Sequence, residues 1–214
     1  MNLNLTYSIL LMLVYLAFTP NSYSQNNSQN DLEEDYIEYY NHINNLRVDS
    51  IVYTSNGIPV ANWLKQLEFL DGYRVPDFSG LDIDGNLIEA NYSDELTLLN
   101  FWFTNCPPCV EEIPYLNLLE SKYRNKLKII SLCRDSEPVI QDFVKKYPIN
   151  YVVIPDAQEI IDHTFQMKWG YPKSILIGLD GRVIAMTRGF LGIEDKNYQK
   201  IDKRIKENID PTKE

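Results

Sequence analysis

Cys106 and Cys109 stand three residues apart, separated by Pro107 and Pro108, where a run of apolar residues gives way to a helical pattern. Two thiols at that spacing can pass between a dithiol and a disulfide, provided that one of them is reachable and partly ionised. With Cys106 as the N-cap, the prolines take the first two helical positions, where their missing N–H groups cost little and their fixed φ suits the helix. The first sulfur then lies exposed at the positive end of the helix, and the second lies one turn inside. A free thiol of pKa about 8.5 is only a few per cent thiolate at pH 7, whereas a shift of about 1.5 units, worth about 2 kcal/mol, makes it half ionised. Cys106 is therefore expected to attack and Cys109 to resolve the mixed disulfide. Pro108 has no N–H, which leaves mainly the Cys109 amide to support a Cys106 thiolate, so a moderately lowered pKa and a reducing couple are expected.

Glu112 follows Cys109 by three residues on the same helix face, within reach to relay a proton to the resolving sulfur, while Glu111 points elsewhere. Pro114 should kink the helix one turn later. The remaining candidate ligands, Cys133, His42 and His163, lie on separate elements, so neither a zinc cage nor any other metal or cofactor is expected. Covalent haem attachment needs histidine directly after the second cysteine, where this chain has Val110. Cys133 reads as a small buried residue.

The elements that must hold this pair follow from the hydropathy pattern. Leu96 to Phe103 is apolar enough for a central strand buried on both faces, and the helix should run from Pro107 to about Tyr123. A strand at Leu127–Leu132, a helix at Glu137–Tyr147, a strand at Tyr151–Ile154 and a helix around Ala157–Met167 follow. Strands at Lys173–Leu179 and Arg182–Arg188, turning at Asp180-Gly181, form a hairpin before a charged helix from about Ile193 to Asn208. An earlier hairpin turns at Asp84-Gly85-Asn86. This is an α/β pattern with a mixed sheet flanked by helices.

Before it, the apolar run Ile9–Phe18 has the length of a signal-peptide core, with Ser22 and Ser24 at the small-residue positions before a cut at Ser24, although no Lys or Arg precedes the run. An uncleaved anchor is the alternative. The expected organisation is a signal peptide at 1–24, a partly helical extension at 25–72 and the main domain at 73–214. Within the extension, a helix is expected at Asp31–Leu46, a strand at Val48–Tyr53, a turn at Asn56-Gly57 and a helix at Asn62–Leu70. Export would place the cysteines where disulfides persist, in the periplasm or cell envelope. The chain has 214 residues, 44% hydrophobic and 23% charged, as in an ordinary globular protein, and 20 Lys and Arg against 30 Asp and Glu give a net charge of −10. That charge opposes any large phosphate-binding surface, so nucleic acid is not an expected partner.

Val75-Pro76-Asp77-Phe78, Leu98-Leu99-Asn100-Phe101-Trp102 and the stretch from Cys106 to Pro114 together resemble the exported TlpA/ResA-type thioredoxin-like disulfide reductases, over about Tyr73 to Asn208. The resemblance implies a thioredoxin fold with an N-terminal hairpin and a helix–strand insertion before a substrate-facing cis proline, matched by Tyr171-Pro172. A cis bond there would present the Tyr171 backbone to a substrate peptide beside Cys106. It also implies a Cys106–Cys109 disulfide, catalytic roles for Cys106, Cys109, Glu112 and Pro172, and a substrate groove bordered by Trp102, Asn105 and Tyr171. Glu112 matches the glutamate that the family keeps near its cysteines, and Asn100 takes the strand position where cytosolic thioredoxins carry a buried acid. Asn105 replaces the family's usual tryptophan and Tyr171 its small residue, so partner choice does not carry over. The implied partners are a client protein with a disulfide or cysteines and an envelope or membrane thiol donor. Two other readings stand beside this one. Phe103 to Pro107 is similar to the peroxidatic loop of peroxiredoxins, with Arg134 as a thiolate partner, although a second cysteine three residues on argues against it. The other is a redox-inactive binding module in which the cysteines form only a staple.

Overall fold

The structure is a computed structural model that describes residues 72–165, 167, 170–192, 194 and 196–209, together with the backbone of two short strands at 51–53 and 59–61. The expected signal peptide, the helices at Asp31–Leu46 and Asn62–Leu70 and the Asn56-Gly57 turn lie outside the described residues. β1 (Ile51–Tyr53) falls within the strand expected there and pairs antiparallel with β2 (Pro59–Ala61).

All seven residues of β5 (Leu96–Trp102) are buried, the polar Thr97 and Asn100 included, as expected of a largely apolar strand covered on both faces. It is the middle strand of a five-stranded mixed sheet. On one side it runs parallel to β6 (Leu127–Cys133), which is parallel to β7 (Val152–Ile154). On the other it runs antiparallel to β8 (Lys173–Ile177), which pairs with β9 (Val183–Arg188), giving the order β7-β6-β5-β8-β9. Two-residue periodicity sorts the side chains of β5: Leu99 and Phe101 join a core with Ile130, Leu132, Phe165 and Ile175, while Leu98 and Trp102 join one with Cys109, Leu116, Leu119 and Ile201. Asn100, between Leu98 and Trp102, therefore turns to the same face as Cys109.

Among the described residues, three α-helices flank the sheet: α1 (Pro107–Lys122), α2 (Glu137–Lys146) and α3 (Lys196–Ile209). Pro114 lies inside α1 without ending it. β3 (Ser79–Leu81) and β4 (Leu87–Glu89) form the N-terminal hairpin, whose turn is held by Asp82 Oδ1 accepting from the Asp84 and Asn86 amides. α2 and β7 form the helix–strand insertion between β6 and β8. The sheet and its flanking helices make an α/β thioredoxin fold.

One expectation needs correction. The helix expected around Ala157–Met167 is a short segment dominated by a wide π turn at Ile160–Thr164. The Phe165 amide bonds the Ile160 carbonyl five residues back, and the Met167 amide bonds that of Ile161. This wider turn keeps Ile161, Phe165 and Met167 fully buried and brings Asp162 to Arg134.

Candidate active site

Cys106 and Cys109 form a disulfide at the start of α1, with Cα atoms 5.2 Å apart. Cys106 is the N-cap, with extended dihedrals (φ −117°, ψ 98°) and the prolines at the first two helical positions. Its side chain makes no capping bond; the Cys109 and Val110 amides both donate to the Cys106 carbonyl, at 2.9 and 3.1 Å. The one amide expected to support a Cys106 thiolate is thus already engaged in the disulfide form. The expected exposure of the first sulfur is also corrected, because Cys106 is 4% exposed and Cys109 2%. N-cap geometry considers only the helix itself, whereas Phe103 and Tyr171 pack against the cluster that holds both cysteines. Asn105 and Pro107 flank Cys106 and are exposed, so approach from solvent is over these two residues.

Glu112 lies beneath the pair on α1 and is 8% exposed. Its Oε2 accepts from Asn100 Nδ2 at 2.9 Å, and the same amide donates to Ser174 Oγ at 3.1 Å and the Lys173 carbonyl at 3.4 Å. The bond follows from register: Asn100 faces α1 from β5 and lies opposite Ser174 on β8. Glu112, Ser174 and Thr187 line a small cavity with Leu98, Leu116 and Ile201, with room for about one water. The Tyr151 hydroxyl is pushed well above the usual phenol range by burial first, then by the nearby Glu112 and Cys133. A buried carboxylate one helical turn from Cys109, set in polar neighbours, can take up and return a proton.

The Tyr171–Pro172 peptide bond is cis, and Pro172 is buried at the head of β8. Gly170 before it has φ +80°, a conformation that favours glycine, and a Cβ there would displace the Arg188 guanidinium, whose Nε lies 2.0 Å from its place. The Tyr171 ring meets Phe103 edge-on at 5.6 Å. Arg134, suggested as a thiolate partner in the peroxidatic comparison, instead directs Nε to Tyr171 Oη at 2.8 Å and Nη2 to Asp162 at 2.5 Å. Asp135 secures the loop before Cys106, its Oδ2 accepting from the Thr104 amide at 2.6 Å and the Thr104 hydroxyl at 2.7 Å.

Trp102 does not border the groove. It is 1% exposed and packs on Phe143 at 5.4 Å, because the strand that delivers Cys106 is covered on both faces to its last residue. Cys133 is fully buried, and burial above all pushes its thiol up to about 12, which makes it a poor nucleophile. Among the described residues, no group of three or more His, Cys, Asp or Glu side chains is placed to hold a metal ion. Sequence reasoning gave no role to Ser174, Thr187 or Asp135. Asn100 was marked there only by its strand position, as an amide in a largely apolar strand that also carries Thr97, and its bond to Glu112 was not foreseen.

Residues 70–201 match the redoxin family. The thiol-disulfide oxidoreductase ResA of Bacillus thuringiensis subsp. konkukian (strain 97-27) is 36% identical over 121 residues, covering 55% of this chain and 69% of that one. ResA of Bacillus subtilis (strain 168) is 26% identical over 122 residues, covering 56% and 68%. Among solved structures, the thioredoxin domain of a thiol-disulfide oxidoreductase from Bacteroides vulgatus superposes with a TM-score of 0.55 at 22% identity, covering 63% of this chain and 97% of that one. A DsbF homologue from Corynebacterium diphtheriae gives 0.54 at 21%, covering 63% and 86%. At these identities the two structures speak for the fold alone.

Proposed function

The chain belongs to the redoxin family and is a thiol–disulfide oxidoreductase of the ResA type, and from that premise we propose that it acts outside the cytoplasm, reducing disulfides of client proteins with its Cys106–Cys109 dithiol. In the reduced protein the Cys106 thiolate attacks one client sulfur, breaking the client disulfide and releasing the other sulfur as a thiolate that takes up a proton. Cys109 then gives its proton to Glu112 and attacks Cys106 Sγ. The mixed disulfide breaks, the second client thiol leaves and the Cys106–Cys109 bond closes. Two electrons have passed from the protein to the client, and a thiol donor of the envelope returns them.

The observation that carries this reading is the bonded pair at the α1 N-terminus with buried Glu112 one turn inside. In this scheme Cys106, Cys109, Glu112 and Pro172 do the chemistry, while Asn105 and Tyr171 border the client. Export rests on the Ile9–Phe18 run and Ser22 and Ser24 after it, with residues 1–24 removed, 25–72 as an extension and 73–214 as the working domain. The Arg134 contacts favour this reading over peroxide reduction.

Cys109→Ala removes the resolving thiol, so the variant should accumulate mixed disulfides at Cys106 when mixed with oxidised insulin, seen as a mass increase that dithiothreitol reverses. If no adduct forms, and iodoacetamide at neutral pH leaves Cys106 unmodified in the reduced, folded wild type, the reading is wrong.

A further inference from the structure

We propose that Arg134 is a positioning residue for client recognition, holding Tyr171 at the rim of the disulfide so that a protein client meets a groove already formed. This rests on the client-protein reading above. Arg134 is the first residue after β6, and its amide donates to the Trp102 carbonyl at 3.2 Å, which ties it to the strand that delivers Cys106. Its guanidinium works in two directions: Nε donates to Tyr171 Oη at 2.8 Å, and Nη2 pairs with Asp162 Oδ1 at 2.5 Å. The Tyr171 hydroxyl donates in turn to the Met167 carbonyl, and the other Asp162 oxygen accepts from Gln158 Nε2. The end of β6, the π turn and the segment before β8 therefore converge on one phenol.

Arg134 and Asp162 side chains are only 23% and 24% exposed, so their attraction is screened less than that of an ordinary surface pair. A lysine could not replace the guanidinium fully, because two donors in fixed and different directions are in use. The result is a tyrosine held at both ends, by its hydroxyl at Arg134 and by the tight Gly170 backbone before it, with its ring against Phe103. Tyr171 packs against the cluster containing both cysteines. A small disulfide needs only the sulfur, whereas a protein segment must lie across the surface beside it. A surface ordered in advance spares the client the cost of ordering it, so the effect belongs in KM for protein clients.

The test uses the full chain, insulin as the protein disulfide and 5,5′-dithiobis(2-nitrobenzoate) as the small one. Arg134→Gln should lower kcat/KM for insulin about tenfold relative to that for the small disulfide, mainly through KM. Tyr171→Phe keeps the ring and removes only the hydroxyl, so it guards against a folding defect; it should act in the same direction. The double variant should lose clearly less than the two single losses combined, since both remove the Arg134–Tyr171 bond. Arg134→Lys should recover only part of the loss. Parallel losses on the two probes, or additive effects of the two substitutions, would overturn the inference and leave the oxidoreductase reading intact. A wild-type chain that exchanges with neither probe would overturn that reading and the inference with it.

Discussion

Glu112→Gln exchanges a carboxylate for an amide of the same shape. The Gln carbonyl can still accept from Asn100 Nδ2, which Glu112 Oε2 now does at 2.9 Å, so packing persists and only the capacity to take a proton is lost. Replacing a buried carboxylate by a neutral isostere removes a buried charge and keeps the shape, so the variant should fold. The size of the kinetic effect follows from the second thiol. An ordinary thiol of pKa about 8.5 is about 3% ionised at pH 7, and each unit that burial adds removes a further factor of ten, about 1.36 kcal/mol. Without its base, the step in which Cys109 displaces the client should slow about 30- to 300-fold at pH 7, overlapping the range for general acid–base catalysis. The sign of the pH dependence is also determined. The variant's rate should track the Cys109 thiolate fraction and rise about tenfold per unit between about pH 6 and 8, more steeply than the wild type. Release of a coloured thiol from a preformed mixed disulfide at Cys106 isolates this step. A loss of less than about threefold with an unchanged pH slope would remove Glu112 from the proton path.

Cys133 should resist iodoacetamide at pH 8 in the reduced, folded chain and react only in denaturant, because its thiol is held up to about 12; peptide mass mapping would show this, and labelling at the rate of a free cysteine would refute it. Asp202 joins α3 to α1, accepting from Lys122 at 2.5 Å and Tyr123 Oη at 2.7 Å, and pairing with Lys206 at 2.5 Å. Burial works against its ionised form, but these hydrogen bonds outweigh burial and hold the carboxyl down at about 2. Its folded pKa is depressed, so its contribution to stability is complete above the ordinary 3.8 and is lost as pH falls through about 2. Asp202→Asn should therefore be less stable than wild type at neutral pH, with the gap closing between pH 4 and 2; an unchanged gap in acid-unfolding curves followed by circular dichroism would refute the assignment.

The order of strands and helices was legible because its signals are local. A largely apolar run such as Leu96–Trp102 has no stable place except between two covered faces, and two prolines after a cysteine can begin a helix but not continue a strand. The π turn at Ile160–Thr164 was not legible in the same way. Apolar residues four apart, such as Ile161 and Phe165, fit an α-helix equally well, and the wider turn is settled by the packing of both in the core and by the pairing of Asp162 with Arg134. Trp102 was misplaced for a related reason: proximity in sequence to Cys106 suggested the groove, but the strand's cover extends to its end.

The same distinction separates the chemistry of the site from its selectivity. Cys106, Cys109 and Glu112 lie within the first two turns of a single helix, so their spacing alone suggests an attacking sulfur, a resolving sulfur and a base. The bonds that set the environment of that chemistry join distant segments: Asn100 to Glu112 across the β5–α1 interface, Thr104 to Asp135 between two strand ends, and Arg134 to Tyr171 from β6 to the head of β8. None of these can be derived from helical or strand periodicity, because each depends on the register between elements. The burial of Cys106 is non-local too. A helix N-terminus alone would leave its sulfur in water, whereas here Cys106 belongs to a core cluster against which Phe103 and Tyr171 also pack. Reactivity toward small disulfides should therefore vary little among chains that share the CPPC–Glu112 segment, whereas client choice should change with the residues at positions 103, 134 and 171.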